Sequence, residues 1–101
     1  MNQRGNRVPP QSLESEQALL GSIMLRPEAV HDITDIIGKD SFYAEKHRTI
    51  FAAMLELLEK SEPIDLLSLT QKLKDKSQLE QVGGRAYLAE LVEKTPSAGN
   101  I

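Results

Sequence analysis

The chain has 101 residues, 40% of them apolar and 27% charged, with two tyrosines, two phenylalanines and no tryptophan or cysteine. That composition suits one small globular domain built on Leu, Ile, Val and Met, and it excludes disulfide scaffolds, thiolate chemistry and thiolate metal sites. The net charge is −3, and Arg4 and Arg7 lie in the leader, which leaves ten basic against fifteen acidic residues from Leu13 onward, a balance ill suited to gripping phosphate backbones.

Residues 1–10 carry Asn2, Gly5, Asn6 and the pair Pro9-Pro10, which predicts a flexible arm. The arm has no apolar core of the kind an export signal needs, and no run of about 18 apolar residues occurs anywhere, so a cytoplasmic location is expected. Ser12 is placed to cap a first helix over Leu13 to Met24, with Glu14 and Glu16 in its first turn and Leu13, Leu20, Ile23 and Met24 as its apolar stripe. Gly21 inside that helix costs about 1 kcal/mol relative to Ala, and close approach of another helix is the expected compensation. Pro27 suits the first position of a second helix with Ala29 or Val30, Ile33, Ile36 and Ile37 inward and Gly38 at its end. Asp40 then caps a short turn, and Phe42 and Tyr43 tuck against the bundle.

Glu45 to Lys60 is the longest stretch with one unbroken helical period. Ile50, Phe51, Met54, Leu57 and Leu58 share a face that Leu55 widens, and Glu45, Lys46, Arg48, Glu56, Glu59 and Lys60 fill the other. A helix of about four turns cannot bury such a stripe alone, so the remaining segments must cover it. Ser61-Glu62-Pro63 ends it. Asp65 caps a fourth helix with Leu66, Leu69, Thr70 and Leu73 on one face, while Lys72, Lys74 and Lys76 read as its solvated C-terminal end. Residues 77–82 form a short helical turn before a reversal at Gly83-Gly84. A last helix, Arg85 to Lys94, turns Tyr87 or Leu88, Leu91 and Val92 inward and stops at Thr95-Pro96. The expected fold is therefore all-α: a compact orthogonal bundle of five to six short helices over 11–95 around a central helix at about 45–60, with 96–101 beginning a further connection.

Chemistry is sparse. The phosphate-loop pattern G-x-x-x-x-G-K-[ST] is absent: at the only Gly-Lys pair, Gly38-Lys39, Ile33 holds the first Gly position and Asp40 the Ser/Thr position. His31 and Asp35 are spaced to share a helix face, but two ligands are too few for a metal. His47 beside Arg48 reads as a partly exposed brace on the central helix's first turn, or as part of an anion contact. No nucleophile sits in a recognisable Ser, His and Asp context, so no catalytic, cofactor-binding or metal site is expected. Tyr87, just after Gly83-Gly84, is either a core residue or a half-presented anchor for a protein partner. Glu14 and Glu16, explained already as first-turn carboxylates, are candidates for the same kind of contact, as is Arg85.

The run Pro9-Pro10-Gln11-Ser12-Leu13-Glu14-Ser15-Glu16-Gln17-Ala18-Leu19-Leu20-Gly21-Ser22-Ile23-Met24 resembles the opening of the N-terminal domain of bacterial replicative DNA helicases of the DnaB type. Phe42-Tyr43, His47-Arg48 with Ile50-Phe51, Pro63-Ile64-Asp65, Gly83-Gly84 followed by Ala86-Tyr87-Leu88 with Glu90-Leu91, and Thr95-Pro96-Ser97-Ala98 continue the resemblance in order. It implies a non-catalytic collar domain of a hexameric helicase, pairing in the ring and docking the C-terminal domain of primase. ATP and magnesium belong, in that family, to a motor domain that follows this one. The family's pairing uses a helical hairpin beyond Pro96 to Ile101, so the resemblance implies a monomer or weak dimer for these residues alone. A small helical DNA-binding module, with the last helix in a groove, is the main alternative; Glu90 and Glu93 beside Arg85 and Lys94 speak against it. An adaptor gripping a helical ligand would need exposed Leu or Met that the periodicity assigns to the core.

Overall fold

Helix α1, Leu13–Leu25, opens the part of the chain that the structure, a computed structural model, describes: residues 13–34, 38 and 41–95. The arm at 1–10, the Ser12 cap, Asp35, Ile36, Ile37, the Asp40 turn and residues 96–101 lie outside the described residues. Four more α-helices follow, α2 Ala29–Thr34, α3 Glu45–Glu59, α4 Leu66–Asp75 and α5 Gly84–Lys94, with a 3₁₀ turn at Glu80–Val82 before the last. No strand occurs among the described residues. The fold is all-α, as the periodicity predicts.

Helix α3 is the pillar. His47, Ile50, Phe51, Ala53, Met54 and Leu57 are buried along it, and Leu55 and Leu58 flank them half-buried. Phe51, the largest fully buried side chain, meets the ring of Phe42 at 5.1 Å between centroids. Around these close Leu20, Ile23 and Met24 of α1, Val30 of α2, Leu69 and Leu73 of α4, Val82 of the 3₁₀ turn and Leu88 and Leu91 of α5. Each such side chain contributes about 1.5–3 kcal/mol by leaving water, which is how a domain with few aromatics holds together. The most extensive helix contact is α1 on α5, while α4 bridges α3 and α5.

Gly21 permits the α1–α5 contact. A Cβ there would fall 2.4 Å from the Leu91 carbonyl oxygen, so only a hydrogen fits, as the expected close approach of another helix requires. The termini are fixed locally. Asp65 caps α4 by accepting from the Ser68 amide at 2.8 Å. Both α3 and α4 end in the same reversal, with Ser61 and Ser77 in left-handed conformation at φ 57° and 59°. In it the Glu62 and Gln78 amides reach back to Leu57 and Leu73 carbonyls at 2.8 Å. At Gly83 (φ 108°) and Gly84 (φ 74°) the chain turns from the 3₁₀ turn into α5, where side chains are strongly disfavoured.

Several expectations need correction. Leu13 is 39% exposed and Tyr43 55% exposed; the inward position in the first turn of α1 is taken by Glu16, and at Tyr43 the fold uses the backbone amide and leaves the ring outside. Helix α2 begins at Ala29, not Pro27, because Ala29, Val30 and His31 bond to carbonyls three residues back in a tighter leading turn. The lysines of α4 are not simply solvated. Lys76 pairs with Glu56 of α3 and Lys72 approaches the same carboxylate at 4.0 Å, tying the end of α4 to the pillar. Their hydrogen bond and charges, the Lys76 bond foremost, hold the Glu56 carboxyl below its ordinary value despite an opposing effect of burial.

Candidate functional site

The N-terminus of α3 needs acceptors for its free amides, and its N-cap residue, Ala44, has no side chain to offer them. Glu16 supplies them from α1. Its carboxylate, 6% exposed, accepts from the Tyr43 amide at 2.5 Å and the Ala44 amide at 3.3 Å, and its negative charge sits where the α3 dipole favours it. The same group meets His47 Nδ1 at 2.7 Å, and His47 Nε2 lies 2.6 Å from the Tyr87 hydroxyl of α5. Gln17 Nε2 donates to that hydroxyl at 3.1 Å. One buried polar chain therefore joins α1, α3 and α5.

Hydrogen-bond valence orients this chain. A carboxylate only accepts, so Nδ1 donates to Glu16; in a neutral imidazole Nε2 then accepts, and the Tyr87 hydroxyl donates to it while accepting from Gln17. Every member is satisfied without a charge on the ring. The His47 and Tyr87 rings are 14° from parallel with centroids 6.0 Å apart, and Lys46 Nζ sits 3.9 Å from the centroid of Tyr87.

His47 is thus 1% exposed, which corrects the expectation of a partly exposed brace. The signal was in the sequence: His47 stands three and four residues before Ile50 and Phe51, on the same stripe, and Glu16 stands four and seven before Leu20 and Ile23. Neither registers as inward in a hydrophobic pattern, because neither is apolar. Arg48 donates to the Phe42 and Tyr43 carbonyls at 2.8 and 2.9 Å, so it braces the loop and is not aimed at an anion. His31 is exposed, and no group of three or more His, Cys, Asp or Glu is placed to hold a metal among the described residues.

Of the candidate contact residues, Glu16 and Tyr87 are brought together through His47, with the Glu16 carboxylate turned inward. Glu14 and Arg85 are exposed. Each stands two residues before its counterpart, buried Glu16 or half-buried Tyr87, about 200° around its helix, so the structure does not gather Arg85 to Tyr87. Glu14 lines a shallow cleft with Gln17, Ala18 and Lys94; a second cleft is lined by Glu45, Lys46, Thr49 and Gln81. Tyr87, half-buried, touches one lining residue of each cleft: its hydroxyl accepts from Gln17 and its ring lies beside Lys46 Nζ.

Residues 8–101 match the family of DnaB-like helicase N-terminal domains. The chain belongs to that family. Replicative DNA helicase DnaB of Geobacillus stearothermophilus is 43% identical over 95 residues, covering 94% of this chain and 21% of the relative. The DnaB helicase of Pasteurella multocida (strain Pm70) is 49% identical over 94 residues, covering 93% and 20%. The chain thus spans about one fifth of the length of these relatives. The crystal structure of the N-terminal domain of DnaB helicase from Mycobacterium tuberculosis superposes with a TM-score of 0.84 at 32% identity, over 92% of this chain and 65% of that one. The all-α bundle is accordingly a DnaB N-terminal domain. No helix among its described residues is long and apolar enough to cross a membrane.

Proposed function

We propose that this DnaB N-terminal domain serves a hexameric, ATP-dependent replicative helicase as a non-catalytic collar element, pairing with its counterparts in the ring and docking the C-terminal domain of primase. The family match over residues 8–101 carries the reading. The geometry supports it through Tyr87, which is half-buried and touches Gln17 of one shallow cleft, lined also by Glu14 and Lys94, and Lys46 of another, lined also by Glu45. A half-buried tyrosine bordered by polar groups of both signs suits a protein-contact anchor. Arg85, exposed on the first turn of α5 and about 200° around the helix from Tyr87, is left outside that contact.

A groove-binding role for α5 finds little support. Leu88 and Leu91 commit one face to the core, Lys94 is paired with Glu90 at 3.2 Å, and Glu93 is exposed among them. Titration of the isotope-labelled chain with a primase C-terminal domain, following backbone amides, tests the docking. Shifts centred on Tyr87, Gln17 and Glu14 are expected; a spectrum unmoved at high primase concentration overturns docking by these residues, and a salt-sensitive shift of duplex DNA would favour the DNA-binding alternative.

A further inference from the structure

We infer that Glu16 and His47 are positioning residues for Tyr87: the buried carboxylate selects the His47 tautomer, and the tautomer fixes the direction of the Tyr87 hydroxyl bond and with it the ring presented at the surface. The inference concerns how the proposed docking edge is held, and its consequence for a partner rests on that reading.

Glu16 cannot itself be reached by a partner, since it is 6% exposed and both of its oxygens are engaged. His47 is buried as completely, between Glu16 and Tyr87, with the Phe42 ring steeply inclined to it at 6.4 Å between centroids. The half-buried members at the surface end of this chain of groups are Tyr87 and Gln17; the Tyr87 hydroxyl bonds both His47 and Gln17 while its ring lies under the Lys46 ammonium. With Nδ1–H directed at Glu16, Nε2 is an acceptor, and it draws the Tyr87 O–H inward. A hydroxyl held by an acceptor at 2.6 Å and a donor, Gln17, at 3.1 Å has no freedom to turn. The same carboxylate is anchored by two backbone amides at the start of α3. The ring's position is therefore referred to the pillar and not to α5 alone.

Glu16→Gln separates this role from simple packing. The amide keeps its oxygen toward the Tyr43 amide, whose bond is the shortest at 2.5 Å, so its NH₂ faces His47 Nδ1 at the 2.7 Å position and the Ala44 amide, at 3.3 Å, loses its acceptor. Nδ1 then becomes the acceptor and the proton moves to Nε2. The bond to Tyr87 reverses, and its oxygen accepts from both His47 and Gln17 with its own proton left without an internal acceptor. Imidazole ¹⁵N shifts of the free chain in mildly alkaline buffer read this directly.

The expected result is an Nδ1–H tautomer in the parent chain and an Nε2–H tautomer in E16Q, with Tyr87 ring resonances displaced; the same tautomer in both, or an Nε2–H tautomer in the parent, overturns the inference. Y87F, which removes only the hydroxyl, gives a second measurement independent of whether E16Q folds. It must shift Nε2 and leave Nδ1 bonded, and an unmoved Nε2 overturns the assignment. With a primase C-terminal domain as probe, E16Q is expected to bind about five- to tenfold more weakly than the parent, the weight of one lost hydrogen bond at a contact. Equal binding by an E16Q chain whose tautomer has switched overturns the positioning role. If the tautomer switches as expected but the parent does not bind primase at all, the docking reading fails while the positioning of Tyr87 stands.

Discussion

Gly21 and Thr95 meet so closely that a Cβ on the glycine would fall 1.8 Å from the threonine Oγ1, with the Leu91 carbonyl oxygen at 2.4 Å behind it. Thr95 is itself held, its hydroxyl donating to that same carbonyl at 2.7 Å. Helices α1 and α5 are in backbone contact there, and the cost of a glycine in a helix interior is offset by the packing it allows. Gly21→Ala should improve helix propensity and still destabilise the chain by about 2–3 kcal/mol, because backbone has to move to make room. The double variant G21A/T95A should recover only part of this loss, since the Leu91 carbonyl remains. Urea unfolding measures both, and a G21A chain as stable as its parent would refute the contact.

Ser61 and Ser77 hold left-handed conformations that close α3 and α4. An L side chain at such a position is strained by about 1–2 kcal/mol, and glycine relieves that at the expense of a more flexible unfolded chain. Ser61→Gly and Ser77→Gly are therefore each expected to stabilise the domain by about 0.5–1 kcal/mol, with near-additive effects because the two ends are separate reversals. Thermal melts of the singles and the double read this. A fall in Tm for either single variant would mean that the serine contributes something that its backbone geometry does not reveal.

These serines also mark where the sequence stopped being legible. The pillar could be read because Ile50, Phe51, Met54 and Leu57 repeat with the helical period, and Asp65 could be read because capping is local chemistry. Gly21 signalled its contact by being out of place. What could not be read depends on partners distant in the chain. Glu16 looked like an ordinary first-turn carboxylate and His47 like a surface brace, and only the fold brings α1, the start of α3 and α5 close enough to make one a cap for the other's helix. A hydrophobic pattern cannot announce a buried polar chain, because its members register as interruptions of the stripe. Tyr43 failed for the complementary reason: an aromatic was counted toward the core where the fold needed only its amide.

Glu56 gives the domain a pH dependence of known sign. Its folded pKa lies below the ordinary glutamate value of 4.5, chiefly through the Lys76 hydrogen bond and then the charges of Lys76, Lys72 and Lys60. A carboxyl whose folded value is depressed contributes stability that is fully present above the ordinary value and is lost as pH falls through the depressed one. Glu56→Gln should therefore be less stable than the parent at neutral pH, with the gap closing on acidification below 4.5. The gap should be small and shrink with added salt, since the side chain is 40% exposed. Paired urea titrations across the acid range check it; a gap that is constant with pH would mean that Glu56 acts through packing.

The three members of the buried polar chain should not be equal in stability, and their order tests what each one does. Tyr87→Phe removes one hydroxyl and with it the single hydrogen bond to His47 Nε2, so about 1 kcal/mol is expected. Glu16→Ala is worse, because it removes acceptors from His47 Nδ1 and from the Tyr43 and Ala44 amides together. Three donors lose their partner at the start of the central helix, where the charge also favoured the dipole, and a loss of about 2–4 kcal/mol follows. His47→Ala strands less than Glu16→Ala does, since the carboxylate keeps both amides, but it empties a fully buried ring volume beside Phe42. The order of destabilisation is then Tyr87→Phe least, with Glu16→Ala and His47→Ala well above it. Chemical denaturation of the three variants decides: a Glu16→Ala chain no less stable than Tyr87→Phe would show that the start of α3 finds its acceptors elsewhere.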